Sequence, residues 1–233
     1  MLFRPAGRVV ALGWVALVLP IWLAPAPAPD SAPNASALQR TPEGWTDLLA
    51  GAGPDLKGWT RGPIPSTGTR SAESQWSLDP ATGVLVCSGT GGHEWARWDR
   101  EQGDFLYHVE WRFTPVEGKK GYNSGIYVRN SADAKVWHQA QTGDGSGGFL
   151  FADTLVDGRI KRVNLSQQVT EKRVKPAGEW NTFEITCKGK DVTLWVNGAV
   201  TNEWHECEVP MGFVGLEAEG WRIEFRNVKL KPL

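Results

Sequence analysis

An all-β sandwich is the fold class this sequence predicts, on three observations. No segment of helix length carries apolar side chains at a 3.6-residue period. Several short runs instead alternate apolar and polar residues with period two. Between them fall clusters of Gly, Pro, Asn and Asp that turn a chain. Strands with one apolar face each must bury it, and two antiparallel sheets packed face to face do so. A chain of 233 residues, 41% apolar, is long enough for one such domain with a sizeable core.

Charge narrows the partners. The 25 basic and 26 acidic side chains leave a net charge of −1, with no long run of either sign. A phosphate backbone demands a concentrated basic surface, so nucleic acid is not an expected partner. The 13 tryptophans against 3 tyrosines suit both a large β core and ring stacking on sugars, and most are expected in the core. Of the three cysteines, Cys87, Cys187 and Cys207, no pair has zinc or redox spacing. Two readings stay open: a Cys187–Cys207 disulfide in an exported protein, or three buried, unpaired thiols.

Taken in order, residues 1–24 read as a signal peptide or an N-terminal membrane anchor. Arg4 and Arg8 give a basic start, and Val9 to Ala24 is nearly all apolar. The run falls short of the ~20 residues that span a bilayer comfortably. Residues 25–40, rich in Pro and Ala, read as a linker. The expected location is therefore outside the cytoplasm: periplasmic, secreted, or held in the cell envelope, with membrane contact only through an uncleaved anchor. The folded domain is expected over 41–233.

In that domain, Gln75–Leu78 and Gly83–Cys87 bracket an Asp-Pro-Ala-Thr-Gly turn. Phe105–Phe113 alternates from His108 on, with Val109, Trp111 and Phe113 on one face and His108, Glu110 and Arg112 on the other. The pairs Phe183/Ile185 and Val192/Leu194 repeat the pattern, and Asn197-Gly198 is a type I′ hairpin signal. Ile223 and Phe225 have one parity and Val228 and Leu230 the other, which predicts a bulge near Arg226-Asn227. The stretch 142–175 is expected to be a long loop with one or two short strands.

The most informative stretch is 121–144, two strands joined by a polar turn. Period two places Ile126 and Val128 on one face and Asn123, Tyr127 and Arg129 on the other. In the second strand Gln139 and Gln141 share a face opposite His138, which is expected in the core. Amide, phenol and guanidinium groups on one sheet face suit the hydroxyls of a sugar. Trp95 and Trp98 flank Arg97, and packing is favoured for them over a stacking wall.

Seven motifs fall in a familiar order: GWTDLLAGAGPDLKGW, DFLYHVEWRF, YNSGIYVR, HQAQTGD, GEWNTFEI, WVNG and GLEAEGWRIEFRNVKLKPL. In this the chain resembles the 3-keto-disaccharide hydrolase domain family, over residues 42–233. The resemblance implies a concanavalin A-like jelly-roll sandwich of two antiparallel sheets, export in a bacterium, and action on sugars or glycosides oxidised at C3. Two departures stand out. Members commonly carry Glu-x-Gln where this chain has Gln139-Ala140-Gln141, and often a His where it has Glu219.

An ordinary glycosidase needs two carboxyl groups flanking the scissile bond. A 3-keto sugar changes the requirement, because the ketone acidifies the C2 proton and lets the glycosidic oxygen leave by elimination. The site then needs a base, an oxyanion donor and an acid. Arg129 is the expected oxyanion donor, since its forked guanidinium keeps its charge. Glu217 or Glu219, two apart and sharing a strand face, is the expected base. Asn123, Tyr127, Gln139, Gln141 and Asp144 are the expected contacts to a saccharide or glycoside. A non-catalytic, lectin-like carbohydrate-binding module is the alternative reading. No His, Asp and Glu cluster has metal-ligand spacing, so no cofactor is identified, and a divalent metal such as Ca²⁺ stays open.

Overall fold

The computed structural model describes residues 1–2, 34–65 and 67–233. The apolar run up to residue 24 and most of the expected linker lie outside the described residues. The chain divides into two compact units, Met1–Asp30 and Ser31–Leu233, and every strand of the described residues belongs to the second.

The strands run in chain order as β1 Thr46–Asp47, β2 Trp59–Pro63, β3 Trp76–Asp79, β4 Val84–Cys87, β5 Glu94–Trp98, β6 Phe105–Phe113, β7 Asn123–Asn130 and β8 Trp137–Gly143. They continue as β9 Leu150–Val156, β10 Arg159–Asn164, β11 Asn181–Lys188, β12 Asp191–Val196, β13 Ala199–Trp204, β14 Phe213–Ala218 and β15 Ile223–Pro232. One sheet has the order β13-β12-β11-β6-β15-β4-β3, with β1 added beside β15. The other has the order β10-β9-β8-β7-β14-β5-β2. All pairings are antiparallel. The two-sheet jelly roll expected from the sequence is the fold.

Period two explains the core. Phe105, Tyr107, Val109, Trp111 and Phe113 of β6 are all buried, facing Ile126 and Val128 of β7 and Val214 and Leu216 of β14. Each large side chain so buried contributes roughly 1.5–3 kcal/mol. The other parity of β6 lies on the outer face of its sheet, where Arg112 pairs with Glu224 and Arg226 with Glu110, both at 2.7 Å. Trp180 packs against both arginines there, 4.6 and 4.0 Å from its ring centre.

Several local expectations hold. Asn197 and Gly198 both have positive φ, 44° and 111°, at the β12–β13 turn. The register of β15 shifts between Arg226 and Lys229, with Asn227 at φ 48°. The three cysteines are buried and free, so no Cys187–Cys207 bridge is formed. The stretch 142–175 holds more order than expected, because β9 and β10 pair as a hairpin. Strands β2 and β5 had no clean alternation to announce them.

The end of the expected linker folds onto the sandwich. Ala37–Arg40 form one helical turn, α1, whose N-cap Ser36 makes a capping box with Gln39. The amides of Ala37 and Leu38 donate to Glu184 at 2.6 and 3.0 Å. His108 donates to the same carboxylate from Nδ1 at 2.8 Å. The first turn of a helix leaves its amides unpartnered, so a carboxylate is the natural clamp.

Candidate functional site

A cleft of about 310 Å³ lies on the outer face of the seven-stranded sheet. Its floor comes from alternate residues of three adjacent strands. On β14, Val214, Leu216 and Ala218 point into the core, so Glu217 and then Glu219 point out. On β7 the outward residues are Asn123 and Tyr127, and on β8 they are Gln139 and Gln141. Gly125 lies between them because a Cβ there would collide with the Gln139 amide. Gly215 does the same for the Trp95 ring, which a Cβ would approach to 2.6 Å.

Glu217 is the centre. Its side chain is buried, and it accepts from Tyr127 Oη at 2.5 Å, His93 Nε2 at 2.7 Å and Gln139 Nε2 at 2.8 Å. Trp95 packs edge-on against Tyr127, with ring centres 5.6 Å apart. Burial, and after it the Glu217 charge, push the Tyr127 phenol well above its ordinary pKa, so it stays a donor. Glu219 accepts from Asn123 Nδ2 at 2.5 Å, and Asn123 Oδ1 in turn accepts from Gln141 Nε2 at 2.5 Å. Burial and the neighbouring Glu217 raise the Glu219 pKa, with His93 partly offsetting them. For His93, burial works against the charged ring, but the hydrogen bond and charge of Glu217 outweigh it and raise its pKa.

His93 precedes β5, and its place is set by its neighbour. Glu94 is fully buried and accepts Nε and Nη2 of Arg61 at 2.8 Å each, together with Trp76 Nε1 at 2.8 Å. That knot fixes the start of β5 against β2 and β3. One ring nitrogen of His93 and one oxygen each of Glu217 and Glu219 lie within 4.8 Å of one another. Such an imidazole–dicarboxylate set has the chemistry to hold a divalent cation, which there would supply Lewis-acid polarisation.

Two expected site residues are elsewhere. Arg129 is fully buried and is not in the cleft. Three steps of β7, Tyr127 to Asn130, span what two steps of β14 span, Gly215 to Phe213, so β7 carries a bulge there. Arg129 takes φ 50° at that bulge, and its side chain leaves the parity of Tyr127. It donates to the carbonyls of Gly103, Gly189 and Val209 and to Asp104 at 2.7–3.2 Å. It is a structural clamp and not the oxyanion donor. Asp144 also misses the cleft, because the chain bends away after β8 through Gly145 at φ 79°. His138 is core, bonded to Val128 O and Thr154 Oγ1. Trp95 is packed beneath the cleft and Trp98 against the main core.

The sequence reading missed His93, Trp137, Phe151, Asp153 and Arg162, all of which line the cleft. Trp137 shares parity with Gln139 and could have been found by counting. His93 lies beside a strand without alternation, and Asp153 and Arg162 needed the β9–β10 pairing. A larger hollow of about 620 Å³ lies across the β15 bulge. Two of its carboxylates are spent on turns: Asp47 accepts the Leu49 amide and Asp79 the Ala81 amide and Thr82 hydroxyl.

Fold and cleft together define a jelly-roll sandwich of the architecture shared by glucanases and carbohydrate-binding modules. A putative glycosyl hydrolase from Parabacteroides distasonis ATCC 8503 is similar at 20% identity and TM-score 0.58, over 86% of this chain and 99% of that one. The carbohydrate-binding module CBM66 from Bacillus subtilis is similar at 15% identity and TM-score 0.53, over 75% and 95%. A Bacillus licheniformis beta-glucanase is similar at 13% identity and TM-score 0.50, over 76% and 93%. The chain belongs to the 3-keto-alpha-glucoside-1,2-lyase-like domain family, whose family model matches residues 44–231. No curated protein matches in sequence.

Proposed function

We propose that this protein is an exported enzyme that cleaves 3-keto-glycosides by elimination and then hydration. The observation that carries the reading is the meeting of Glu219, His93 and Glu217 in one cleft, from strands far apart in sequence. Family membership supplies the substrate class, and the basic, apolar start of the chain supports export.

Glu219 is the base. It is the carboxylate with only one donor among the described residues, Asn123, and its raised pKa makes it a stronger base than a free glutamate. It takes the proton from C2, and the electron pair enters the C2–C3 enolate. Collapse of the enolate restores the C3 ketone, forms the C1–C2 double bond and breaks the bond from C1 to the glycosidic oxygen. His93, favoured in its charged form, gives its proton to that leaving oxygen. Water then adds across C1–C2: it gives one proton to the neutral His93 as its oxygen bonds to C1, and the proton on Glu219 returns to C2, which leaves a 3-keto sugar and restores both side chains. Glu217, held by three donors, is the fixed negative partner that keeps His93 protonated and oriented. In this chain the carboxylate lies just past the end of β14, at Glu219, and an amide, Gln139, occupies the β8 position.

The test is turnover of 3-keto-trehalose or methyl 3-keto-glucoside by the purified protein, with and without Mg²⁺, Mn²⁺ or Ca²⁺, followed by product release and transient enone absorbance. Saturable binding with no cleavage under every condition sinks the enzyme reading and leaves a carbohydrate-binding module.

A further inference from the structure

The cleft extends well past the acid–base cluster, and its far end is built from a separate group of side chains. Trp137, at the start of β8, lies edge-on to Phe151 of β9 with ring centres 5.0 Å apart, and to Tyr127 at 6.3 Å. Arg162 of β10 lies over both outer rings, 5.0 Å from the Phe151 centre and 5.5 Å from that of Trp137. Its Nε and Nη2 form a forked pair with the two carboxylate oxygens of Asp153, leaving Nη1 without a partner among the described residues. The register lines these residues up, because Trp137 pairs with Asp153, and Asp153 with Arg162.

Distance separates the outer part of this wall, on β9 and β10, from the chemistry, and Trp137 bridges the two through Tyr127. Phe151 and Asp153 lie on β9, three strand positions from Glu217 on β14. At ~4.8 Å per strand that is ~14 Å at the backbone, more than one sugar ring spans. If C1 and C2 of the oxidised ring lie between Glu219 and His93, the wall meets whatever is attached beyond C1.

Resting on the elimination reading above, we infer that Trp137, Phe151, Arg162 and Asp153 form the leaving-group subsite and select a neutral, hydroxylated ring over an aryl group. The ion pair decides the class. Asp153 already neutralises Arg162, so an anionic group gains little there. An aryl ring laid on the pair would strip its water and return no hydrogen bonds. Vicinal hydroxyls return both kinds, accepting from Nη1 of Arg162 and donating to the free lone pairs of Asp153. The apolar C–H face of the same ring then meets Trp137.

The experiment compares kcat/KM for 3-keto-trehalose, methyl 3-keto-glucoside and 4-nitrophenyl 3-keto-glucoside in the wild type, Trp137→Ala and Arg162→Ala. The wild type is expected to prefer the disaccharide over both others. Each substitution is expected to cut the disaccharide-to-methyl ratio roughly tenfold, the loss of one ring contact. An unchanged ratio in both variants, or a wild-type preference for the nitrophenyl glycoside, overturns the inference. Arg162 is on an exposed hairpin, so its variant guards against a folding defect in Trp137→Ala. Failure of the wild type to cleave any of the three defeats the elimination reading alone. In that event, binding of unoxidised trehalose, followed at the Trp137 indole N–H by NMR, decides the subsite. A shift that Arg162→Ala weakens supports it, and no shift refutes it.

Discussion

At the scale of the residue, two charged side chains that looked alike in sequence have opposite fates. Glu219 is half-buried beside a second carboxylate, and its charge is strained by both. Glu219→Gln should lower turnover by at least ~10²-fold, as expected for removal of a general base, while thermal unfolding stays at or above the wild-type midpoint. A variant of normal activity would remove Glu219 from the mechanism. Arg129, by contrast, is enclosed by three carbonyls and Asp104. Arg129→Ala leaves those carbonyls without donors and should cost about 3–5 kcal/mol in denaturant unfolding. Arg129→Lys should fail to restore the loss, because one ammonium cannot reproduce the fork. Near-wild-type stability in the alanine variant would return Arg129 to the list of functional candidates.

At the scale of the element, the cluster on the outer face of the eight-stranded sheet sets a pH dependence. His108 is placed between Glu184, bonded at 2.8 Å, and Glu110, whose oxygen at 3.8 Å attracts without a hydrogen bond. Burial opposes the His108 charge, but the two carboxylates outweigh it and raise its pKa above the ordinary 6.5. Burial likewise opposes the charge on both glutamates. For Glu110, the attraction of His108 and the hydrogen bonds from Asn227 and Arg226 win and bring it down from 4.5 to about 2. For Glu184, His108 and the α1 amides win and lower it from 4.5. A lowered carboxylate pKa contributes stability that is full above about pH 4.5 and lost as pH falls toward 2. A raised histidine pKa contributes stability that is full below about pH 6.5 and lost as pH rises past the folded value. Stability from this cluster is thus greatest between the two limits. Glu184→Gln should flatten the acid limb of a Tm-against-pH profile and expose residues 34–40 to protease. An unaltered profile would show that α1 is held by something else.

At the scale of the whole molecule, the eight-stranded sheet carries the His108–Glu184 cluster and the α1 clamp on its outer face, and the seven-stranded sheet carries the cleft. No disulfide among the described residues contributes to that stability. Burial pushes the Cys87 thiol up to about 12 and the other two upward as well. A thiol reagent should therefore find no reactive cysteine in the folded protein and all 3 after unfolding, and reductant should leave the Tm unchanged. Rapid labelling of the native protein would contradict this packing. By itself, the sequence determined the two-sheet fold, because period-two alternation in β6, β11 and β12 admits burial of only one face. It also determined Asn123, Tyr127, Gln139, Gln141, Glu217 and Glu219 as cleft residues, since unbroken parity carries each to the outer face. It could not place Arg129, where one extra residue in β7 turned the side chain inward and parity alone gives no warning. Nor could it bring His93, Asp153 and Arg162 to the cleft. They lie on strands whose neighbours are fixed by sheet order and register, and those are decided only when the two sheets close on a common core.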